Sequence, residues 1–123
     1  MSKILGIDYG EAKIGLALAE AGTKVAVPWK VFSQKDLLKK IKEIVEAEDI
    51  GKIVVGLPLS LKGSETKQTQ KVRDFIQRLR DSVKIEIITE DERLTTVQAQ
   101  KQGGDDSLAA SYILQTYLDR YYG

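Results

Sequence analysis

The sequence predicts an α/β fold: a five-stranded mixed sheet, three antiparallel strands followed by parallel ones, with helices on both faces. Three observations lead there. Three short apolar segments open the chain with only turn-sized gaps between them, which suits an antiparallel meander. Amphipathic stretches then alternate with apolar runs, the pattern of parallel strands joined by helices. One of those runs is apolar at nearly every position, as a central strand covered on both faces requires. The chain has 123 residues, and 1–123 reads as a single domain.

Residues 3–8, Lys-Ile-Leu-Gly-Ile-Asp, are apolar and bounded by Gly10, so they form the first strand. Residues 13–19 follow as its hairpin partner, and Gly22 turns the chain into a third strand over 23–31. Pro28 has no amide to donate, which makes that strand an edge or gives it a bulge. Ser33 caps a helix over 34–48, whose apolar positions Leu37, Leu38, Ile41, Ile44 and Val45 recur at helical spacing. Residues 52–57 are the central strand, ended by Pro58. Gly63-Ser64 opens a second helix with the stripe Val72, Phe75, Ile76 and Leu79. Residues 84–89 make the fifth strand, and Thr95 or Thr96 caps a short helix ending near Gly103-Gly104. Asp105 caps the last helix, which carries Leu108, Ala109, Ile113, Leu114, Tyr117 and Leu118.

Composition narrows the chemistry. The chain contains no cysteine, histidine or asparagine. Disulfides, thiolate or histidine metal sites and serine–histidine triads are excluded. Carboxylates, Lys/Arg, hydroxyls and backbone amides remain. Nineteen Lys+Arg against eighteen Asp+Glu give a formal net charge of +1, so a nucleic-acid partner needs charge segregated on one face. No apolar run reaches ~18 residues, and residues 1–6, Met-Ser-Lys-Ile-Leu-Gly, enter a strand pattern without a signal-peptide layout. The expectation is a cytoplasmic protein with no membrane partner.

Three acidic positions stand where an open α/β sheet places its ligands, beyond the carboxyl ends of parallel strands. Asp8 ends the first strand, Asp91 and Glu92 follow the fifth, and Asp105-Asp106 open the last helix. Carboxylates without histidine suit a hard cation, Mg²⁺ or Mn²⁺, and a two-ion site would clamp the attacking and leaving oxygens of a phosphodiester. Acids at strand ends and helix starts also serve as caps, turn formers or solvated groups, and spacing alone leaves both readings open. Of the strand-5 pair, Glu92 has the longer inward reach, whereas Asp91 can bond local amides. Lys13, Lys62, Lys67 and Arg93 lie on loops or element ends near the same edge, as phosphate contacts or as solvated surface. Arg93 can equally orient Asp91 or Glu92. Tyr9 is either a base-stacking ring or a strand-end aromatic.

Four blocks resemble the YqgF/RuvX family. They are Gly6-Ile7-Asp8-Tyr9-Gly10 with Lys13-Ile14-Gly15-Leu16-Ala17; Val54-Val55-Gly56-Leu57-Pro58-Leu59 with Gly63-Ser64; Asp91-Glu92-Arg93-Leu94-Thr95-Thr96; and Asp106-Ser107-Leu108-Ala109-Ala110 with Ile113-Leu114-Gln115 and Tyr117-Leu118. The blocks follow the family's order along the whole chain. The resemblance implies a ribonuclease H-like fold related to bacterial Holliday-junction resolvases. It implies a metal-dependent nuclease that matures the 5′ end of the small-subunit ribosomal RNA precursor or resolves branched DNA. By position, Asp8 and Asp106 become metal ligands and the Asp91-Glu92 block supplies the middle acid. Ala12-Lys13 stands where the family often has two basic residues, and Leu57-Pro58-Leu59-Ser60 lacks the acid that many relatives of the wider fold place after strand 4.

Two other classes compete. A Gly-x-Asp-x-Gly hairpin also opens the actin-like sugar kinases and chaperone ATPases, which close two lobes around a nucleotide and need a far longer chain. A non-catalytic nucleic-acid or ribosome-assembly module of the same fold is the other, though anionic groups facing phosphate give a pure binder nothing. A junction resolvase is expected to be a homodimer, to cut two strands symmetrically; a processing nuclease need not be.

Overall fold

The computed structural model describes residues 2–20, 22–92 and 106–122. Five strands form one mixed sheet: β1 (Lys3–Asp8), β2 (Ile14–Ala19), β3 (Val27–Phe32), β4 (Ile50–Leu57) and β5 (Glu86–Asp91), in the spatial order β3-β2-β1-β4-β5. The pairs β1–β2 and β2–β3 are antiparallel, and β1–β4 and β4–β5 are parallel. The meander followed by parallel strands is therefore as the sequence predicts. β3 is an edge strand, and its pairing with β2 shifts register between Leu16 and Ala17, opposite Pro28. Both consequences of the missing proline donor occur together.

Helices α1 (Gln34–Ala47) and α2 (Lys67–Ser82) cover one face of the sheet, and α3 (Asp106–Tyr122) covers the other. Strand alternation sorts the side chains. Leu5, Ile7, Ile14, Leu16, Ile53 and Val55 meet Leu37, Ile41, Phe75 and Leu79 of α1 and α2. Ala17, Ala19 and Val54 meet Ala109, Ala110, Ile113 and Leu114 of α3. β4 is buried on both sides, which explains its almost unbroken apolar run.

Local signals set most boundaries. The Ser33 hydroxyl accepts from the Asp36 amide at 3.1 Å and starts α1. The start of α2 corrects the sequence reading, for Gly63-Ser64 does not open that helix. The Ser60 amide donates to the Ser64 carbonyl, and the Gly63 amide to the Ser60 carbonyl, so this stretch closes on itself as a loop. Gly63, at φ +86°, supplies the left-handed turn. Thr66 is the true cap, in a reciprocal box with Thr69, whose hydroxyl also donates to the Pro58 carbonyl. β5 is displaced two residues from the expected 84–89, and its ladder with β4 runs through Glu90 and Asp91. The expected helix after Thr95 or Thr96 and the Asp105 cap lie outside the described residues. Among those residues no helix is long and apolar enough to cross a membrane.

Candidate active site

The carboxyl ends of β1, β4 and β5 share one edge of the sheet. Asp8, the last residue of β1, is 2% exposed and has the strand parity of Gly6, against which Leu114 and Ala110 of α3 pack. Its side chain thus belongs to the α3 face. On the next strand Gly56 lies one step beyond the Ile7–Val55 pair, beside Asp8, at the usual strand spacing of about 4.8 Å. Glu92 follows β5 directly and is 4% exposed. A Cβ placed on Gly56 would lie 3.1 Å from both Cγ and Cδ of Glu92, so the glutamate stem crosses the space that glycine leaves open. Glu92 thus reaches over the end of β4, where Leu57-Pro58-Leu59-Ser60 carries no acid.

Asp106 opens α3 at the same edge. Gly15 is paired with Asp8 in the β1–β2 ladder, and a Cβ on Gly15 would lie 1.8 Å from the Asp106 carbonyl oxygen. The helix start is seated on β2 with no room for a side chain between them. From there α3 runs back along the sheet, past Gly6, until Tyr117 accepts a hydrogen bond from Lys52 Nζ at 2.9 Å. Asp8, Glu92 and Asp106 are therefore brought to one face and one end of the sheet by three elements far apart in sequence. Asp91 is not brought there: it pairs in register with Leu57, whose side chain belongs to the α1–α2 core.

Lys13, Lys62 and Lys67 are exposed, and Arg93 lies outside the described residues. Tyr9 is 8% exposed, stacked 5.1 Å from Phe75, which removes it as a base-stacking ring. Sequence reasoning missed Glu90. It is 2% exposed on the α3 face, two residues before Glu92, with Oε1 2.9 Å from Arg120 Nη1. That contact is an ion pair without hydrogen-bond alignment, because the same oxygen accepts no hydrogen bond. Burial raises the Glu90 carboxyl above the ordinary range, while Arg120 opposes the rise. The available signal was the alternation Glu86, Ile88, Glu90 across the fifth strand, which puts these three on one face.

The donor set is chemically suited to Mg²⁺ or Mn²⁺, since every group is a carboxylate oxygen. Among the described residues, however, no three acidic side chains already stand close enough together to hold a metal ion. The fit is one of donor chemistry and backbone placement.

The family model described as RuvX: Holliday junction resolvase matches residues 2–120. The chain belongs to the RuvX family. A relative from Endomicrobium trichonymphae is 39% identical, with 97% of this chain and 96% of the relative covered. One from Orientia tsutsugamushi is 41% identical over 96% of this chain and 84% of its own length. Both carry names that mark them as candidate pre-16S rRNA nucleases. Among solved structures, Thermus thermophilus RuvC in complex with a Holliday junction substrate matches with a TM-score of 0.62 at 9% identity, covering 100% of this chain and 97% of that one. This RuvX chain thus has a RuvC-like, ribonuclease H-like fold, as its sequence predicts.

Proposed function

We propose that this RuvX-family chain is a divalent-metal-dependent endonuclease that hydrolyses phosphodiester bonds in structured RNA, in the 5′-end maturation of pre-16S ribosomal RNA in the cytoplasm. The observation that carries the reading is the delivery of Asp8, Glu92 and Asp106 to one end and one face of the sheet. The names of the RuvX relatives support the substrate.

In this reading Asp8, Glu92 and Asp106 hold Mg²⁺ or Mn²⁺, as one ion or two. A cation so placed lowers the pKa of an attacking water and offsets charge on the phosphate. The rest falls to the chain's own groups. Lys13, Lys62, Lys67 and Arg93 contact substrate phosphates on the approach to the edge. Burial of Asp8 and Glu92 keeps water from competing for their oxygens. Asp91, on the opposite face, supports the strand end.

Holliday-junction resolution is the second reading, favoured by the description of the matching family model. It requires two copies acting together, so the oligomeric state in solution separates the two. The test of the nuclease reading is Asp8→Asn, which preserves volume and removes the charge. Cleavage of labelled pre-16S RNA is expected to vanish in the variant, and in the wild type under excess EDTA, with the melting temperature of the variant not lowered. Unchanged turnover in either case refutes the reading.

A further inference from the structure

The face of the sheet opposite the acids carries a groove between α1 and α2, and of the phosphate contacts proposed above only Lys67 stands on it. At its upper end a shallow cavity of about 430 Å³ is lined by Glu11, Ala12, Ser33, Gln34, Lys35, Leu38 and Arg78. The lining belongs to three elements: the loop after Asp8, the start of α1 and the fourth turn of α2. Helical spacing extends the rim. On α1, Lys39 and Lys42 fall four and seven residues after Lys35, on one exposed stripe about 10 Å long. On α2, Lys67 lies on the same stripe as Arg78, three turns earlier, with Lys71 between them.

Acids stand near this groove as well, the exposed Asp36 beside Lys35 among them. Glu11 is ion-paired with Lys71. Glu43 lies on the other flank of α1, in the cleft beside Trp29 and Lys40. Asp74, seven residues after Lys67 and four before Arg78, and Asp81, three after Arg78, stand beside the same stripe and accept hydrogen bonds from the uncharged Gln70 and Gln77. Glu46 prolongs the α1 stripe beyond Lys42 and bounds the groove at its far end. Lys35, Lys39, Lys42, Lys67 and Arg78 have no ion-pair partner among the described residues. A nearly neutral nucleic-acid binder needs basic groups gathered on one surface, and these five stand on two neighbouring helices.

We propose that the groove between α1 and α2 carries a double-stranded arm of the nucleic-acid substrate, gripped through its phosphates by Lys35, Lys39, Lys42, Lys67 and Arg78. This rests on the nuclease reading for what the arm belongs to, and it adds a surface outside the acidic edge. A polyanionic backbone is the partner that matches the charge. A duplex is favoured over a single strand because the nearby rings, Tyr9 and Phe75, are buried in the core and offer no stacking platform. The groove opens at the same end of the sheet as Asp8, and residues 9–13 connect the two, so an arm held here leads over that loop to the acids.

The test removes two charges from the groove and two from elsewhere. Lys35→Gln/Arg78→Gln is compared with Arg80→Gln/Lys84→Gln, which lie on the opposite flank and beyond the end of α2. Both are made in the Asp8→Asn background, so that binding is read without cleavage. Probes are a fluorescent hairpin duplex in RNA and DNA forms and a single strand of equal length, followed by anisotropy across a salt series. For the groove variant the slope of log K against log salt on the duplex should flatten by about 1.8, at about 0.9 for each lost phosphate contact. Affinity near 0.1 M salt should fall at least tenfold. The control variant should match its parent, and single-strand binding should change less than duplex binding. Equal slopes for the groove and control variants, or no duplex binding by the parent, overturn the proposal. If Asp8→Asn still cleaves while the groove variant loses duplex binding, the nuclease assignment fails and the groove stands. The reverse result leaves the nuclease and removes the groove.

Discussion

Gly15→Ala tests whether the start of α3 is positioned by the sheet beneath it. The added methyl would lie 1.8 Å from the Asp106 carbonyl oxygen, 2.1 Å from its carbon and 2.6 Å from the Ser107 nitrogen. All three are backbone atoms, so no rotamer change relieves the contact. A carbon–oxygen approach is comfortable near 3.3 Å, so the helix start must retreat by about 1.5 Å. Overpacking of this kind costs about 3 kcal/mol, the upper end of the usual range. At about 4 °C per kcal/mol for a chain of this size, the melting temperature should fall by about 12 °C. The retreat also carries Asp106 away from Asp8 and Glu92. A misplacement of about 1 Å at a reacting centre can cost about a hundredfold in rate, so turnover should fall by at least that factor at temperatures where the variant is folded. Gly6→Ala is the internal comparison. Its methyl meets Leu114 Cβ at 2.7 Å and the Ala110 carbonyl at 3.1 Å, farther along α3 from the edge. It should lower the melting temperature while reducing turnover by less than tenfold. Calorimetry and cleavage of a labelled substrate measure both quantities. A Gly15→Ala protein with wild-type melting and turnover would refute the seating of α3 on β2.

Two further outcomes follow from the same geometry. Glu92→Gln should abolish cleavage while Asp91→Asn retains most of it, because Glu92 crosses Gly56 on the α3 face and Asp91 pairs with Leu57 on the other; a dead Asp91→Asn beside an active Glu92→Gln would reverse the roles. Arg120→Ala strands the buried Glu90 carboxylate and should cost about 2 kcal/mol at pH 7, less than a fully buried pair because the Arg120 side chain is 41% exposed. Glu90→Leu/Arg120→Met should recover that loss in a denaturant titration, and a double variant no more stable than Arg120→Ala would show that the pair is not the cause.

Much of this architecture is legible in the linear sequence because its determinants are local. Apolar runs punctuated by glycine and proline mark the strands, and Ser33 marks the start of α1 through one hydroxyl–amide contact. The meander and the later parallel units follow from connection lengths. Asp8 and Asp106 are placed at element ends by the same reasoning. Where short-range signals compete, the sequence misleads. Gly63-Ser64 has the composition of a helix start, but Ser60 captures its backbone and leaves the cap to Thr66.

What the tertiary structure alone decided concerns atoms from distant segments meeting across the α3 face. Gly15 and Gly56 read locally as ordinary small residues in strands. Their purpose appears only when α3 and Glu92 arrive in the space a side chain would fill. The difference between Asp91 and Glu92 is likewise one of register. A strand that ran 84–89 would leave both acids beyond the ladder. The observed ladder pairs Asp91 with Leu57 and sends the next residue over Gly56. Glu90 was silent for a related reason, since its partner Arg120 is thirty residues away on another element. Local propensity acts over a few residues, whereas which charged groups become neighbours depends on how sheet and helix faces pack, and that requires the whole fold.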